Sequence, residues 1–218
     1  MDPRQPEITN RLPHNDLCVE TLFAVASIAS TATMLDMARR PTAQELAAAR
    51  NKTIPDVLAP GLAVVFCGIN PGLYSGAVGH HFARPGNRFW PALHQAGWTD
   101  RQLNPTEDVL LPRYGCGVTN LVARTTATAT ELTDEELARG GQILRRKIAR
   151  YRPRCLAILG IDAYRKAMGV RKATVGQQPL TIHDSRVWLL PNPSGLNAHY
   201  QLPDFVHWMR RLREECSG

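Results

Sequence analysis

No apolar run in this 218-residue chain approaches the roughly eighteen residues that a membrane-spanning helix requires. Residues 22–29 are apolar but too few, and Asp16 and Glu20 precede them where a secretion signal carries positive charge, so export is not expected. Paired cysteines are also lacking. Cys18, Cys67, Cys116, Cys155 and Cys216 are scattered with no C-x-x-C spacing. Cys67 and Cys155 lie in apolar strand-like runs and read as small buried hydrophobes. An odd count without a framework fits a reducing, cytoplasmic setting. Histidines adjoin only at His80-His81; neighbours on a strand point to opposite faces, so no shared metal is expected.

Acidic residues are scarce where basic ones are dense. The chain carries a net charge of +7, yet residues 1–54 hold six basic and six acidic side chains. Between Arg139 and Lys172 stand eleven Lys/Arg and one acid, Asp162. A basic helix face is often merely solvated, but an imbalance this local favours a polyanionic partner, and nucleic acid is the ordinary one.

The length accommodates one domain of about 160 residues with an appendage. Residues 1–38 match no pattern and are expected to be a disordered or untranslated extension, with Met34 or Met37 as alternative starts. Residues 39–54 form a helical lead-in, opened by a Thr42-x-x-Glu45 capping box. Residues 55–218 form the domain. Strand one is expected at 63–69 and a helix at 87–96, burying Phe89, Trp90 and Leu93. A second capping box, Thr133 to Glu136, opens a helix whose inner face is Leu137, Leu144, Ile148 and Tyr151. Further strands are read at 155–159, 180–182 and 186–190, and further helices at 162–168 and 204–213. Alternation of this kind predicts an α/β fold: a three-layer single domain with a mainly parallel central sheet flanked by helices.

Two of these strands empty into Asn-Pro turns. Ala63–Cys67 leads to Gly68-Ile69-Asn70-Pro71-Gly72, and Val187–Leu190 leads to Pro191-Asn192-Pro193-Ser194-Gly195-Leu196-Asn197. The carboxyl ends of parallel strands are where open α/β sheets build their sites. Between the turns lie Phe82-Ala83-Arg84-Pro85-Gly86-Asn87-Arg88-Phe89-Trp90, then residues 115–122, then the Gly140-Gly141 helix. Together these segments resemble the mismatch-specific uracil-DNA and thymine-DNA glycosylases of the uracil-DNA glycosylase superfamily, from about Pro55 to about Arg213.

The resemblance implies an enzyme that flips a base from duplex DNA and cleaves its N-glycosidic bond. Water then attacks a sugar with oxocarbenium character. Asn70 would position that water, since a carboxamide can hold it without acting as a strong base; alternatively Asn70 only caps its own turn. Phe82 would stack on the flipped base, or simply belong to the core. Ile69 and Asn120 complete the implied base pocket, Asn120 standing where some bacterial members carry lysine. Asn192, Ser194, Gly195, Leu196 and Asn197 match the loop that meets the opposite guanine, with Leu196 as the wedge. Some relatives place an arginine two residues past that leucine; here Ala198 stands there, leaving Asn197 or His199 to substitute. Arg84, Asn87 and Arg88 would contact phosphate or brace the Asn70 turn; alternatively Arg88, on the helix that follows the site, forms a structural ion pair.

No cofactor, metal or iron–sulfur cluster is expected. The implied partner is double-stranded DNA containing G:U or G:T mismatches, with no membrane role, and a monomer is expected. Two competing classes are a non-catalytic mismatch-binding module and a phosphate- or nucleotide-binding enzyme. The Gly68–Gly72 turn lacks the lysine and Ser/Thr that a P-loop requires.

Overall fold

The computed structural model describes residues 39–217, so the expectation for residues 1–38 lies outside the described residues. In chain order the elements are α1 (Ala43–Ala48), β1 (Val64–Gly68), α2 (Leu73–Val78), α3 (Phe89–Gln95), a 3-10 stretch (Pro105–Tyr114), β2 (Cys116–Asn120), a 3-10 turn (Ala129–Glu131), α4 (Asp134–Tyr151), β3 (Cys155–Leu159), α5 (Ile161–Met168), β4 (Gly176–Ile182), β5 (Ser185–Leu190) and α6 (Leu202–Ser217).

Continuous apolar runs build the centre. β1, β2 and β3 are buried at every position, as strands covered on both faces must be. The sheet order is β2-β1-β3-β5-β4. β2, β1, β3 and β5 are parallel, whereas β4 pairs antiparallel with β5 across the His183-Asp184 turn. The chain leaves β1 toward β2 on one side and leaves β3 toward β5 on the other. The crevice between the carboxyl ends of β1 and β3 is therefore the topological switch point, where ligands bind in such sheets.

Period-2 alternation along the strands divides the core into two layers. Val64, Phe66, Val118, Ala157 and Trp188 pack under α3 and α6. Val65, Cys67, Leu156, Ile158 and Leu189 pack under α4 and α5. This is the three-layer α/β arrangement that the sequence predicts.

Glycine sets how closely α4 can approach its neighbours. A Cβ on Gly140 would lie 2.4 Å from the Leu121 carbonyl oxygen, and one on Gly141 would lie 2.1 Å from that of Ala167. α4 thus presses on the end of β2 through one glycine and on α5 through the next.

Several local expectations are corrected. Residues 73–78 are helical although no periodicity marks them. The final helix runs to residue 217, past the expected 213. His80 and His81 lie in a turn and not on a strand. Cys155 and Cys216, read as unpaired, form a disulfide across 61 residues of sequence. Only the return of α6 to the start of β3 brings them together, with Arg154 Nη1 donating to the Cys216 carbonyl at 3.1 Å. The unpaired-cysteine argument for a reducing compartment loses that support. Cys67 and Cys116 remain free and buried.

Replacing Gly141 by alanine should separate α4 from α5. Overpacking of this kind costs about 1–3 kcal/mol. In a domain of this size that lowers Tm by roughly 2–12 °C, and a thermal melt of the variant measures it.

Candidate active site

Because four strands run parallel, their carboxyl ends open on one edge of the sheet. A cavity of about 240 Å³ lies there, lined by Ile69, Asn70, Phe82, Asn120, Asn192 and Leu196 among others. Cavities for drug-sized ligands run from about 300 to 1,000 Å³, so this one suits a single small ring. The structure thus brings together candidates from both strand-end turns, from the 82–90 segment and from the 115–122 segment.

Asn70 stands half-buried just past the end of β1. Its Nδ2 faces three acceptors: the Thr126 hydroxyl at 2.7 Å, the Arg124 carbonyl at 3.1 Å and the Pro71 carbonyl at 3.1 Å. Thr126 Oγ1 donates its own proton to the Thr128 carbonyl at 2.7 Å, so it can only accept from Asn70. These acceptors fix the sense of the amide. Oδ1 is left as the acceptor for a water or substrate hydrogen, and an Asx-type cap, which uses Oδ1, is not what the side chain makes.

The residues that fix Asn70 belong to a segment the sequence motifs do not cover. Arg124 makes two bonds to Glu136, at 2.6 and 2.8 Å, and one to the Glu131 carbonyl at 3.1 Å. Arg124 holds the Glu136 carboxyl down at about 2, so the pair stays ionised at any working pH. Glu136 also caps α4 through the Thr133 amide at 3.0 Å. The capping box was visible in the sequence; its second duty toward Arg124 was not. Close approach completes the support, since a Cβ on Gly76 would lie 2.6 Å from Thr125 Oγ1.

Phe82 occupies a left-handed backbone conformation, φ 53°, a strain of the sort that persists where surrounding structure imposes it. Its ring stacks on Phe89 at 4.2 Å between centroids and 26° between planes. A Cβ on Gly68 would lie 3.3 Å from that ring and 2.5 Å from Asn120 Oδ1. Glycine at 68 therefore preserves the space between the ring and the amide. Ile69 adds an apolar wall, its Cδ1 only 3.0 Å from where a Cβ on Gly160 would sit.

Asn120 is 8% exposed, and its Nδ2 lies 3.4 Å from His81 Nδ1. His81, 2% exposed, was read only for metal binding. Its Nε2 lies 2.9 Å from the Pro55 carbonyl, and burial pushes its pKa below the ordinary histidine value. The His81 turn is pinned by three further bonds. Asp108, 3% exposed, accepts from the His81 amide at 3.1 Å and pairs with His80 Nδ1 at 3.2 Å. Trp90 Nε1 donates to the His81 carbonyl at 3.1 Å. Nothing in the local sequence links Asp108 to this turn, 27 residues away.

The loop after β5 is braced from within and from below. Ser194 donates its amide to Asn192 Oδ1 at 3.0 Å, and Asn197 Nδ2 donates to the Asn192 carbonyl at 3.0 Å. Asn197 Oδ1 accepts from the His199 amide at 3.1 Å, so the Asn197 side chain is already engaged and is no ready substitute for the missing arginine. Leu196 is 75% exposed at the tip. Gly195 is forced by contact: a Cβ there would lie 2.6 Å from the Gly86 carbonyl oxygen.

Arg88 is the brace from below, and of this loop instead of the Asn70 turn. Its Nη1 donates to the carbonyls of Ser194, Asn197 and Tyr200 at 2.9, 3.0 and 3.0 Å. Its Nη2 reaches Gln201 Oε1 at 3.1 Å. With these donors engaged, Arg88 forms no ion pair among the described residues, and its guanidinium is committed to this loop. Asn87 Oδ1 accepts from the Phe89 amide at 2.9 Å and starts α3. Arg84 is exposed and is the sole Lys or Arg among the cavity-lining residues. The Arg139–Lys172 stretch runs instead through α4, β3 and α5, with seven of its eleven basic residues on the two helices. Part of it is engaged in ion pairs, Lys147 with Asp56 at 2.5 Å and Lys166 with Asp134 at 2.6 Å.

Removing the Arg88 guanidinium should loosen the loop and leave the sheet intact. In Arg88→Ala, amides of residues 194–201 should exchange with solvent at least about tenfold faster while strand amides keep their protection. Hydrogen exchange read by mass spectrometry or NMR gives the answer.

The strand-end turns, the pocket between Phe82 and Asn120 and the braced loop all fall within one match to known proteins. The family model described as the uracil DNA glycosylase superfamily matches residues 55–213. The chain belongs to the uracil DNA glycosylase superfamily, whose members are DNA glycosylases that hydrolyse N-glycosidic bonds.

Proposed function

We propose that the protein is a monofunctional, cofactor-free glycosylase that excises uracil mispaired with guanine in double-stranded DNA, and thymine or damaged pyrimidines at lower rates. The observation that carries this reading is the fixed amide of Asn70, a cavity-lining residue whose NH2 side is held by three acceptors so that its oxygen is left to accept.

In this reading the flipped pyrimidine lies between Phe82 and Asn120, where Gly68 leaves room for it. Stacking supplies about 1–3 kcal/mol with little discrimination between bases. Backbone groups at Ile69 and Phe82 read the pyrimidine edge. Asn70 Oδ1 accepts a hydrogen bond from the attacking water and orients its lone pair toward C1′. An amide cannot remove the proton at that stage, so departure of the base must run well ahead of attack. Poor leaving groups are then excised slowly.

Leu196 enters the vacated stack as an apolar wedge, and the backbone of Gly195 and Asn197 meets the widowed guanine. Arg84, exposed at the mouth, is the first candidate for a phosphate contact. The α4 arginines Arg139, Arg146 and Arg150 extend the positive field beyond the site. Binding should weaken as salt rises, because phosphate contacts release counterions.

The decisive experiment is single-turnover excision of uracil from a G·U duplex, read by alkaline cleavage at abasic sites. Asn70→Ala should lower the rate by about 10²-fold or more while duplex binding stays nearly intact; near-normal excision would sink the assignment. Thr126→Val removes the acceptor that orients the amide and should cost about 10–100-fold through misplacement alone.

Leu196→Ala should reduce excision strongly on the duplex and much less on single-stranded uracil DNA, where no stack opposes flipping. Equal losses on both substrates would mean that Leu196 serves something other than the gap.

A further inference from the structure

We infer that His81 is a positioning residue which sets the orientation of the Asn120 amide, and through it selects pyrimidines bearing a hydrogen on N3. The inference rests on the glycosylase reading above.

A carbonyl oxygen can only accept, so His81 Nε2, 2.9 Å from the Pro55 carbonyl, must carry a proton. Burial keeps the ring neutral near pH 7 by lowering its pKa. A neutral imidazole protonated at Nε2 has a bare lone pair at Nδ1. The group facing that lone pair, Asn120 Nδ2 at 3.4 Å, must therefore donate. Asn120 Oδ1 is turned the other way, beside Gly68 in the cavity lining.

The consequence is chemical. An amide oxygen in the pocket attracts the N3–H of uracil or thymine and repels the N3 lone pair of cytosine. Selection against the normal base then comes from a histidine that need not touch the substrate. A hydrogen-bonding site rejects a mismatched edge far better than an apolar pocket does.

Protonation would reverse the arrangement. Imidazolium donates from both nitrogens, so Nδ1–H would oppose the Asn120 NH2, and the amide would turn over to present donors to the base. The groups facing the ring are Asp108 from the 3-10 stretch, Asp56 from the segment before β1, and neighbouring His80; the two carboxylates favour protonation, whereas burial and His80 oppose it. Burial is the largest influence, so the reversal lies below the ordinary histidine pKa and is absent at neutral pH.

The test compares single-turnover excision of 5-fluorouracil and 5-fluorocytosine opposite guanine, fluorine making both better leaving groups. In His81→Phe the ratio of the two rates should fall by about tenfold or more. In His81→Asn, whose Oδ1 can accept where Nδ1 did, the ratio should recover to within a few-fold. The wild-type ratio should hold from about pH 8 to about 6.5 and decline only below that, as the ring takes a proton, and that of His81→Asn should stay flat because its amide does not titrate.

An unchanged ratio in His81→Phe overturns the inference. Should that variant fail to fold, parallel pH profiles of wild type and His81→Asn overturn it equally. If the wild type excises neither base, the glycosylase reading fails, and 15N NMR of the His81 ring still decides the positioning: a bare Nδ1 at neutral pH supports it and a protonated Nδ1 refutes it.

Discussion

The hydrogen bond from Asn70 to the Thr126 hydroxyl is the interaction on which the candidate site depends. An asparagine at the end of a buried strand has two nearly isosteric orientations, and only one leaves its oxygen free to accept from a ligand. Thr126 excludes the other because its own proton is committed to the Thr128 carbonyl. That commitment holds only while the 124–131 segment keeps its shape, and the Arg124–Glu136 pair ties the segment to the first turn of α4. The helix cap, the ion pair, the hydroxyl and the amide thus form one series, each fixing the polarity of the next.

A second amide is treated in the same way. At Asn120 a neutral imidazole takes the place of the threonine, again by offering an acceptor to the NH2 side. In both amides the NH2 side is engaged and the oxygen is left without a protein donor, and both orienting groups, Thr126 and His81, line the same cavity. The backbone strain at Phe82 belongs to the same economy of position. The His81 amide and carbonyl are held by Asp108 and Trp90, which leaves residue 82 little choice but the left-handed region.

What could be read from the sequence divides along local and non-local lines. The strands at 64–68, 155–159 and 185–190 announce themselves as apolar runs, and both capping boxes at Thr42 and Thr133 have the reciprocal geometry their spacing implies. Asn70 and the 191–197 loop stand out as strand-end turns, whereas Phe82, Asn120 and the wedge role of Leu196 come only from the family resemblance. The partners that orient them are legible in neither way. Thr126 is one of several threonines in a polar segment, Asp108 sits in a 3-10 stretch with no apolar period, and His81 looked like half of a histidine pair. The loop-bracing role of Arg88 was hidden for a related reason: only the fold brings its guanidinium to five oxygen acceptors more than a hundred residues along the chain. The Cys155–Cys216 bond was hidden likewise, since it needs the path of α6 back to the start of β3.

The contact between Gly195 and the Gly86 carbonyl carries a mechanical consequence. Two loops that meet backbone to backbone, with no side chain between them to compress or rotate, cannot slide independently. Arg88, reaching from the same turn into the carbonyls of the 194–200 loop, locks the pair as one lever. At one end of that lever is the exposed Leu196; near the other is Arg84. In the proposed reaction, insertion at the helix axis and grip on the backbone would then be a single displacement, so that a duplex held at the wrong height could not be probed at all.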